Sequence, residues 1–131
     1  MDTYSIGTGD HQVQLSVDVS TTGLAASQVI VVEIYSDANG IQVAKSTDAT
    51  GKIASAEVGT PDFLKNKRLS VFTKIDLTGN DPVARKQESE KVSAEYTLYN
   101  GENGAKTFSS FDKKVIGDYE SVMLIKHIDL V

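Results

Sequence analysis

The sequence predicts an all-β fold, a single antiparallel β-sandwich of eight or nine strands with immunoglobulin-like or jelly-roll-like Greek key connections. Apolar and polar residues alternate with a period of two over much of the chain. Turn-forming pairs such as Asn39-Gly40 and Asn100-Gly101 separate the alternating segments. Ten glycines accompany only two prolines, which suits tight turns. Because 131 residues are the size of one domain, residues 1–131 are expected to form one sandwich.

The strands differ in how clearly they show one buried face. The stretch QVIVVEIYS is apolar on both faces except at Glu33, which predicts a central strand covered at least in part on both sides. Near the end of the chain, Lys126 interrupts a row of alternate apolar residues. Long strands are predicted over 11–21, 28–36, 68–78, 91–99 and 120–130, and shorter strands over 3–7, 41–46, 52–58 and 105–111.

Two segments carry helix signals of different strength. Thr60 supplies a capping hydroxyl and Pro61 suits the first helical position, so a short helical turn is predicted near 61–66. The stretch 83–91 (VARKQESEK) contains strong helix formers but almost no apolar face. It is therefore predicted to be a solvated charged loop or a strand extension.

The stretch SDANGI, residues 36–41, combines a calcium-like pattern with a turn pattern. If Asp37 were the first ligand of an EF-hand loop, Asn39 would be the third, but the required glycine at the sixth position is missing. Gly40 instead follows an asparagine, and Asn-Gly is typical of a two-residue type I′ hairpin. The sequence therefore favours a hairpin that joins a strand ending near Tyr35 to one starting at Ile41.

A looser calcium site is the alternative for the acidic and amide side chains in loops. Some β-sandwiches collect such ligands from several loops at one end, and calcium or a small polar ligand would suit them. These residue types also favour turns on their own account, so no metal or cofactor site is assigned. The weak candidates are Asp37, Asn39, Asp48, Asn80 and Asp81, with Asn100, Glu102 and Asn103 as further loop residues.

A small hydrolase is a second alternative, and it would use His127 or Glu33. His127 is one of two histidines and lies on the last predicted strand, while Glu33 is an acid in an apolar strand. A catalytic triad would also need a serine and a carboxylate from other strands, and the sequence has no G-x-S-x-G motif. No catalytic residue is therefore assigned, and the chain is not expected to be an enzyme.

Charge and composition disfavour several classes of partner. The net charge of −5 and the pI of about 4.9 argue against a nucleic-acid binder, which needs a basic surface to displace counterions. No run of 18 apolar residues is present, so no membrane insertion is expected. The absence of cysteine excludes disulfides and thiolate sites. The N-terminal residues do not resemble a signal peptide, so the compartment is either the cytoplasm or, if a leader has been removed, outside it.

The sequence thus favours a non-enzymatic structural or binding module. Such a module would act through a sheet face or edge, either with a protein partner or by self-association. Cysteine-free β-sandwiches of bacterial type occur in adhesion modules, capsid or tube components and accessory domains. That likeness carries no functional residues across, because fold and function are only loosely linked.

Overall fold

Two β-sheets dominate the computed structural model, which describes residues 2–35 and 40–131. The predicted all-β sandwich is confirmed. The predicted strand number is too low, since the described residues form ten strands. The strands are β1 (Asp2–Tyr4), β2 (Val13–Ser20), β3 (Leu24–Glu33), β4 (Ile41–Lys45), β5 (Ile53–Gly59), β6 (Lys67–Asp76), β7 (Ser93–Gly101), β8 (Gly104–Phe108), β9 (Asp112–Ile116) and β10 (Ser121–Leu130).

The six-stranded sheet has the order β1–β10–β6–β3–β4, and β9 pairs with the same edge of β10 as β1 does. β9 pairs with residues 121–125 of β10, and β1 pairs with residues 128–130. Lys126 and His127 therefore lie at a gap between the two short edge strands. The β1–β10 pair is parallel, which corrects the prediction of a wholly antiparallel arrangement. The four-stranded sheet has the order β5–β2–β7–β8.

The core lies between the sheets and is built from alternate residues of the long strands. In β2, Val13, Leu15 and Val17 point inward and are almost completely buried. Leu69 and Val71 of β6 are fully buried from the other sheet. This is the period-two pattern that the sequence predicts, because successive side chains of a strand point to opposite faces.

Strand β9 was not predicted because its sequence carries no burial signal. All five residues of Asp112–Ile116 are exposed, so apolar and polar positions do not alternate against a core. Its two lysines, Lys113 and Lys114, are typical of edge strands, where charge discourages pairing with other chains. Pairing with β10, rather than burial, holds this strand.

The connection between β3 and β4 is not the predicted two-residue hairpin. Ile41 is the register partner of Val31, so residues 32–40 lie between these two paired positions. Asp37 and Asn39 lie outside the described residues. A Cβ added at Gly40 would collide with side chains of β3, so only glycine fits the close approach of the chain at this point.

The predicted helical turn is confirmed as α1 (Pro61–Leu64). The Thr60 hydroxyl accepts a hydrogen bond from the backbone N–H of Phe63 at 3.3 Å, and Pro61 occupies the first turn. This is the capping chemistry from which the turn was predicted.

The prediction of a loop or strand extension over 83–91 is wrong, because Pro82–Glu90 forms a second helix, α2. The Asp81 carboxylate caps it by accepting a hydrogen bond from the N–H of Ala84 at 2.8 Å, and Pro82 begins it. The helix has almost no apolar face, and only Ser89 is buried. Polar contacts must therefore fix it against the sandwich.

Two side chains of α2 make those contacts. The Glu88 carboxylate accepts hydrogen bonds from the N–H groups of Thr78 and Gly79 at 2.8 and 3.0 Å, and from the hydroxyls of Thr22 and Thr78 at 3.1 Å each. The Arg85 guanidinium donates to backbone carbonyls of the β9–β10 turn. Burial alone would raise the pKa of Glu88, but these hydrogen bonds outweigh it and lower the pKa.

We predict that Glu88→Gln lowers the free energy of unfolding by about 1–2 kcal/mol at neutral pH, since hydrogen bonds to a charged group are lost. The native pKa lies below the ordinary glutamate value of about 4.3, so the contribution is present above that value and disappears as the pH falls through the native pKa. Urea unfolding should show wild type and variant converging in acid. Glu90→Gln, at an exposed position of the same helix, is the control, and an equal loss there would contradict the account.

Two buried tyrosines should respond oppositely to the same substitution. The Tyr96 hydroxyl is buried and has no hydrogen-bond partner among the described residues, whereas the Tyr4 hydroxyl accepts from the N–H of Gly101 and donates to the carbonyl of Gly104, both at 2.7 Å. Tyr96→Phe should raise the free energy of unfolding by about 1 kcal/mol, and Tyr4→Phe should lower it by about 1–3 kcal/mol. Denaturant unfolding tests both, and destabilisation by Tyr96→Phe would show that its hydroxyl is satisfied.

Candidate functional site

The outer faces of the two sheets differ in polarity. The four-stranded sheet shows mainly polar side chains to solvent, including Gln14, Ser16, Asp18, Glu95 and Thr97, and the aromatic Tyr99 is also exposed on this face. The corresponding outward positions of the six-stranded sheet include five partly exposed apolar side chains, which we call the apolar stripe: Ile30, Val32, Phe72, Met123 and Ile125.

The burial of β3 agrees with the prediction that the 28–36 strand is covered at least in part on both sides. The inward side chains Val29 and Val31 of β3 are buried, but the outward Ile30 and Val32 remain partly exposed. Gly40 approaches both side chains closely and covers part of them. The second apolar face of β3 therefore points away from the core.

The strand register brings the apolar stripe together around Phe72. Phe72 lies directly opposite Ile125 on β10 and Gln28 on β3. Directly opposite residues of antiparallel strands have Cβ atoms about 5 Å apart, so these side chains form one row across three strands. A shallow cavity of about 360 Å³ adjoins the row and is lined in part by Phe72, Met123 and Gln28.

Charges of both signs flank the apolar stripe at its two ends. Lys74 and Asp76 lie at one end of β6, with their charged groups 3.9 Å apart. At the other end, Arg68 Nε donates to Asp129 Oδ1 at 2.8 Å, and both side chains are largely buried. An apolar centre with a charged rim is the usual composition of a protein–protein interface.

His127, a candidate catalytic residue, lies on the same outer face, where its ring contacts two residues of β6. Its Nδ1 is 2.7 Å from the hydroxyl of Ser70, and its ring meets Phe72 edge-on at 6.2 Å between centroids. Burial, together with the nearby Arg68, lowers the pKa of His127. Ser70 is only 3% exposed, so its hydroxyl is shielded from any substrate in solution. The nearby Asp129 carboxylate accepts a hydrogen bond from Arg68, and among the described residues no carboxylate is hydrogen-bonded to His127 as a triad would require.

A polar cluster that the sequence analysis missed occupies the gap between β1 and β9. Lys126 is only 3% exposed, and its ammonium donates to the Asp2 carboxylate and to the Ser110 hydroxyl, the latter at 2.9 Å. It also lies 5.3 Å from the centre of the Phe108 ring. The hydrogen bond from Lys126 lowers the pKa of Asp2. The one available signal was the position of Lys126 in an apolar row.

This Lys126 cluster borders an open cavity of about 370 Å³ that also reaches His127 and Asp112. The cavity supplies space beside a histidine, which the hydrolase hypothesis requires. However, Lys126 is paired with a carboxylate, and a paired ammonium cannot accept the proton of the Ser110 hydroxyl. The cluster joins the first strand to the last through the ion pair between Asp2 and Lys126.

The acidic loop candidates for calcium, Asp48 and Asp81, have separate local partners within the described residues. Asp48 accepts a hydrogen bond from the N–H of Thr50 at 3.0 Å, and Asp81 caps α2. Asn80 precedes that cap, and Asp37 and Asn39 are not described. Over residues 2–35 and 40–131, no three histidine, aspartate or glutamate side chains are grouped to hold a metal ion. Asp48 therefore has a turn role and Asp81 a capping role.

Glu33, the other candidate catalytic acid, lies at the end of β3. Its side chain is exposed, and its register partner on β6 is Lys67. It is therefore far along the strand from the row containing Phe72, and it does not join His127 in one site.

Comparisons with known proteins do not identify the chain: no family model, curated protein or solved structure matches it. In the part of the chain that the structure describes, neither helix is long and apolar enough to cross a membrane. The function must therefore be argued from the surface and its side chains.

We predict that Asp2→Ala destabilises the protein more than Lys126→Met. The first change leaves a buried ammonium without its carboxylate, whereas the second places an apolar side chain of similar length in an apolar row. The double variant should be more stable than Asp2→Ala alone. Thermal unfolding of the three variants measures this order. A greater loss for Lys126→Met would contradict it and would show that the contacts of Lys126 with Ser110 and Phe108 outweigh the cost of an unpaired buried ammonium.

Proposed function

We propose that this chain is a non-enzymatic protein-binding module that associates through the outer face of its six-stranded sheet. The observation that carries the proposal is the contrast between the two outer faces, one polar and one with the apolar stripe. Apolar surface left in water costs about 25 cal/mol per Å², so a contiguous apolar stripe favours association.

The face supports this role better than the edges do. The outer edge strand β9 carries Asp112, Lys113 and Lys114, and charged edges oppose the addition of a strand from another chain. At the edge strands β4, β5 and β8, register shifts disturb the pairing with β3, β2 and β7 respectively. Bulges twist an edge away from regular pairing. The outward positions of β3, β6 and β10 lie on the long central strands instead.

A charged residue in the apolar stripe should abolish association without unfolding the chain. We expect the wild-type chain, in extract of the cells that naturally make it, to elute above its monomer mass of 14.1 kDa on size-exclusion chromatography. Ile125→Glu should move it to the monomer position, because a carboxylate would be buried at the contact. Thr97→Glu, on the polar face of the other sheet, is the matched control.

Thermal unfolding of each purified variant confirms that the fold is retained. Elution of the wild type as a monomer, or an equal response to both substitutions, would overturn the proposed function.

A further inference from the structure

We infer that the partner at this face is a second copy of the chain, packed face to face about a two-fold axis that runs across the strands above Phe72. This inference rests on the proposed function, because it names the occupant of the same surface. It is carried by the size of the face, its charge balance and the strand register.

The face has the area that a stable dimer needs. Strands β3, β6 and β10 have ten residues each and β4, β9 and β1 are shorter, so at about 4.8 by 3.4 Å per residue the sheet covers about 700 Å². Stable interfaces bury about 800 Å² on each partner. Two sheets in face-to-face contact are also a standard packing, with strands aligned to within about 30°.

The charge of the face permits two copies to approach each other. Although the whole chain has a net charge of −5, four basic and three acidic side chains lie on this face, so it is close to neutral. A strongly acidic or basic partner would find no complementary field there. The charged residues are Arg68, Lys74, Asp76, Asp129, Lys45, Lys114 and Asp112.

The register distinguishes two symmetric arrangements. Along the outward side of β6 the order is Arg68, Ser70, Phe72, Lys74 and Asp76. A two-fold axis parallel to β6 would place each of these residues opposite its own copy, so like charges would meet at three positions. Juxtaposed like charges are strongly unfavourable at an interface.

An axis across the strands pairs unlike residues instead. With Phe72 on the axis, Asp76 of one copy faces the Arg68–Asp129 pair of the other at its Arg68 end, and Lys74 faces Ser70. Phe72 stacks near its own copy in the centre, and on β3 the outward Ala26 faces Ile30. The same face is thus complementary to itself, as an isologous interface requires.

The charged residues at the margins of the face favour an axis parallel to β6 instead, but they contribute less to the contact than the central residues do. Asp112 and Lys45 lie at the two ends of the Phe72 row, and the axis across the strands places each opposite its own copy. Both belong to edge strands, about 10 Å from β6. A twist of about 30° between the sheets displaces such positions by about 5 Å, so these like charges are offset and solvated.

Single cysteines test the axis directly, because the natural chain has none. Gln28 lies in the Phe72 row and should face its own copy, whereas Lys74 lies one row away. Two Lys74 positions would then be about 14 Å apart along the strands, in addition to the sheet spacing of about 10 Å. A short bis-maleimide should therefore cross-link the Gln28→Cys variant into dimers and leave the Lys74→Cys variant mainly monomeric. Both side chains are exposed, so both substitutions should preserve the fold.

Sedimentation velocity of the purified wild type accompanies the cross-linking and should show dimers. Preferential cross-linking through Lys74→Cys would overturn the axis and leave association through the face intact. A purified chain that stays monomeric, while the chain in extract elutes as a larger species, would overturn the second copy as partner without affecting the proposed function. Monomer in both experiments would overturn both.

Discussion

Every strand in a β-sheet presents side chains to two faces, but in this chain each sheet covers only the inner face of the other sheet. The four-stranded sheet meets this constraint by placing polar residues outside and apolar residues inside. The six-stranded sheet meets it only on its inner face, because Phe72 and Ile125 point outward. The proposed function follows from that asymmetry, since a second protein layer would complete the covering.

Polar contacts attach the peripheral elements at the ends and edges of the sandwich. Lys126 binds the short first strand to the last one, and Glu88 holds a helix that has almost no apolar face. Both are charged groups whose partners were assembled from distant parts of the chain. Such groups stabilise one arrangement because their loss of hydration is offset only when all the partners are present.

Periodicity made the sandwich, its core residues and the short helix α1 predictable, because each leaves a local signal such as the alternation of Val13, Leu15 and Val17. Helix α2 was not predicted because it is held in part by the contact of Glu88 with Thr22, which are far apart in the sequence. Strand β9 was not predicted because all of its residues are exposed and leave no alternating pattern. Of the apolar stripe, the sequence indicated only Ile30 and Val32, because the strand that contains them is apolar on both faces. Its members Phe72 and Ile125 could be placed on the same face as Ile30 and Val32 only through the register, which no local pattern specifies.

The most direct test of the account is the ¹H–¹⁵N NMR spectrum of the purified chain followed over a wide range of protein concentration. Association through the apolar stripe predicts concentration-dependent chemical shifts centred on β3, β6 and β10, with β2 and β7 unchanged. Shifts centred on the four-stranded sheet, or spectra that do not change at any concentration, would contradict the claim that the outer face of the six-stranded sheet is where this protein meets its copy.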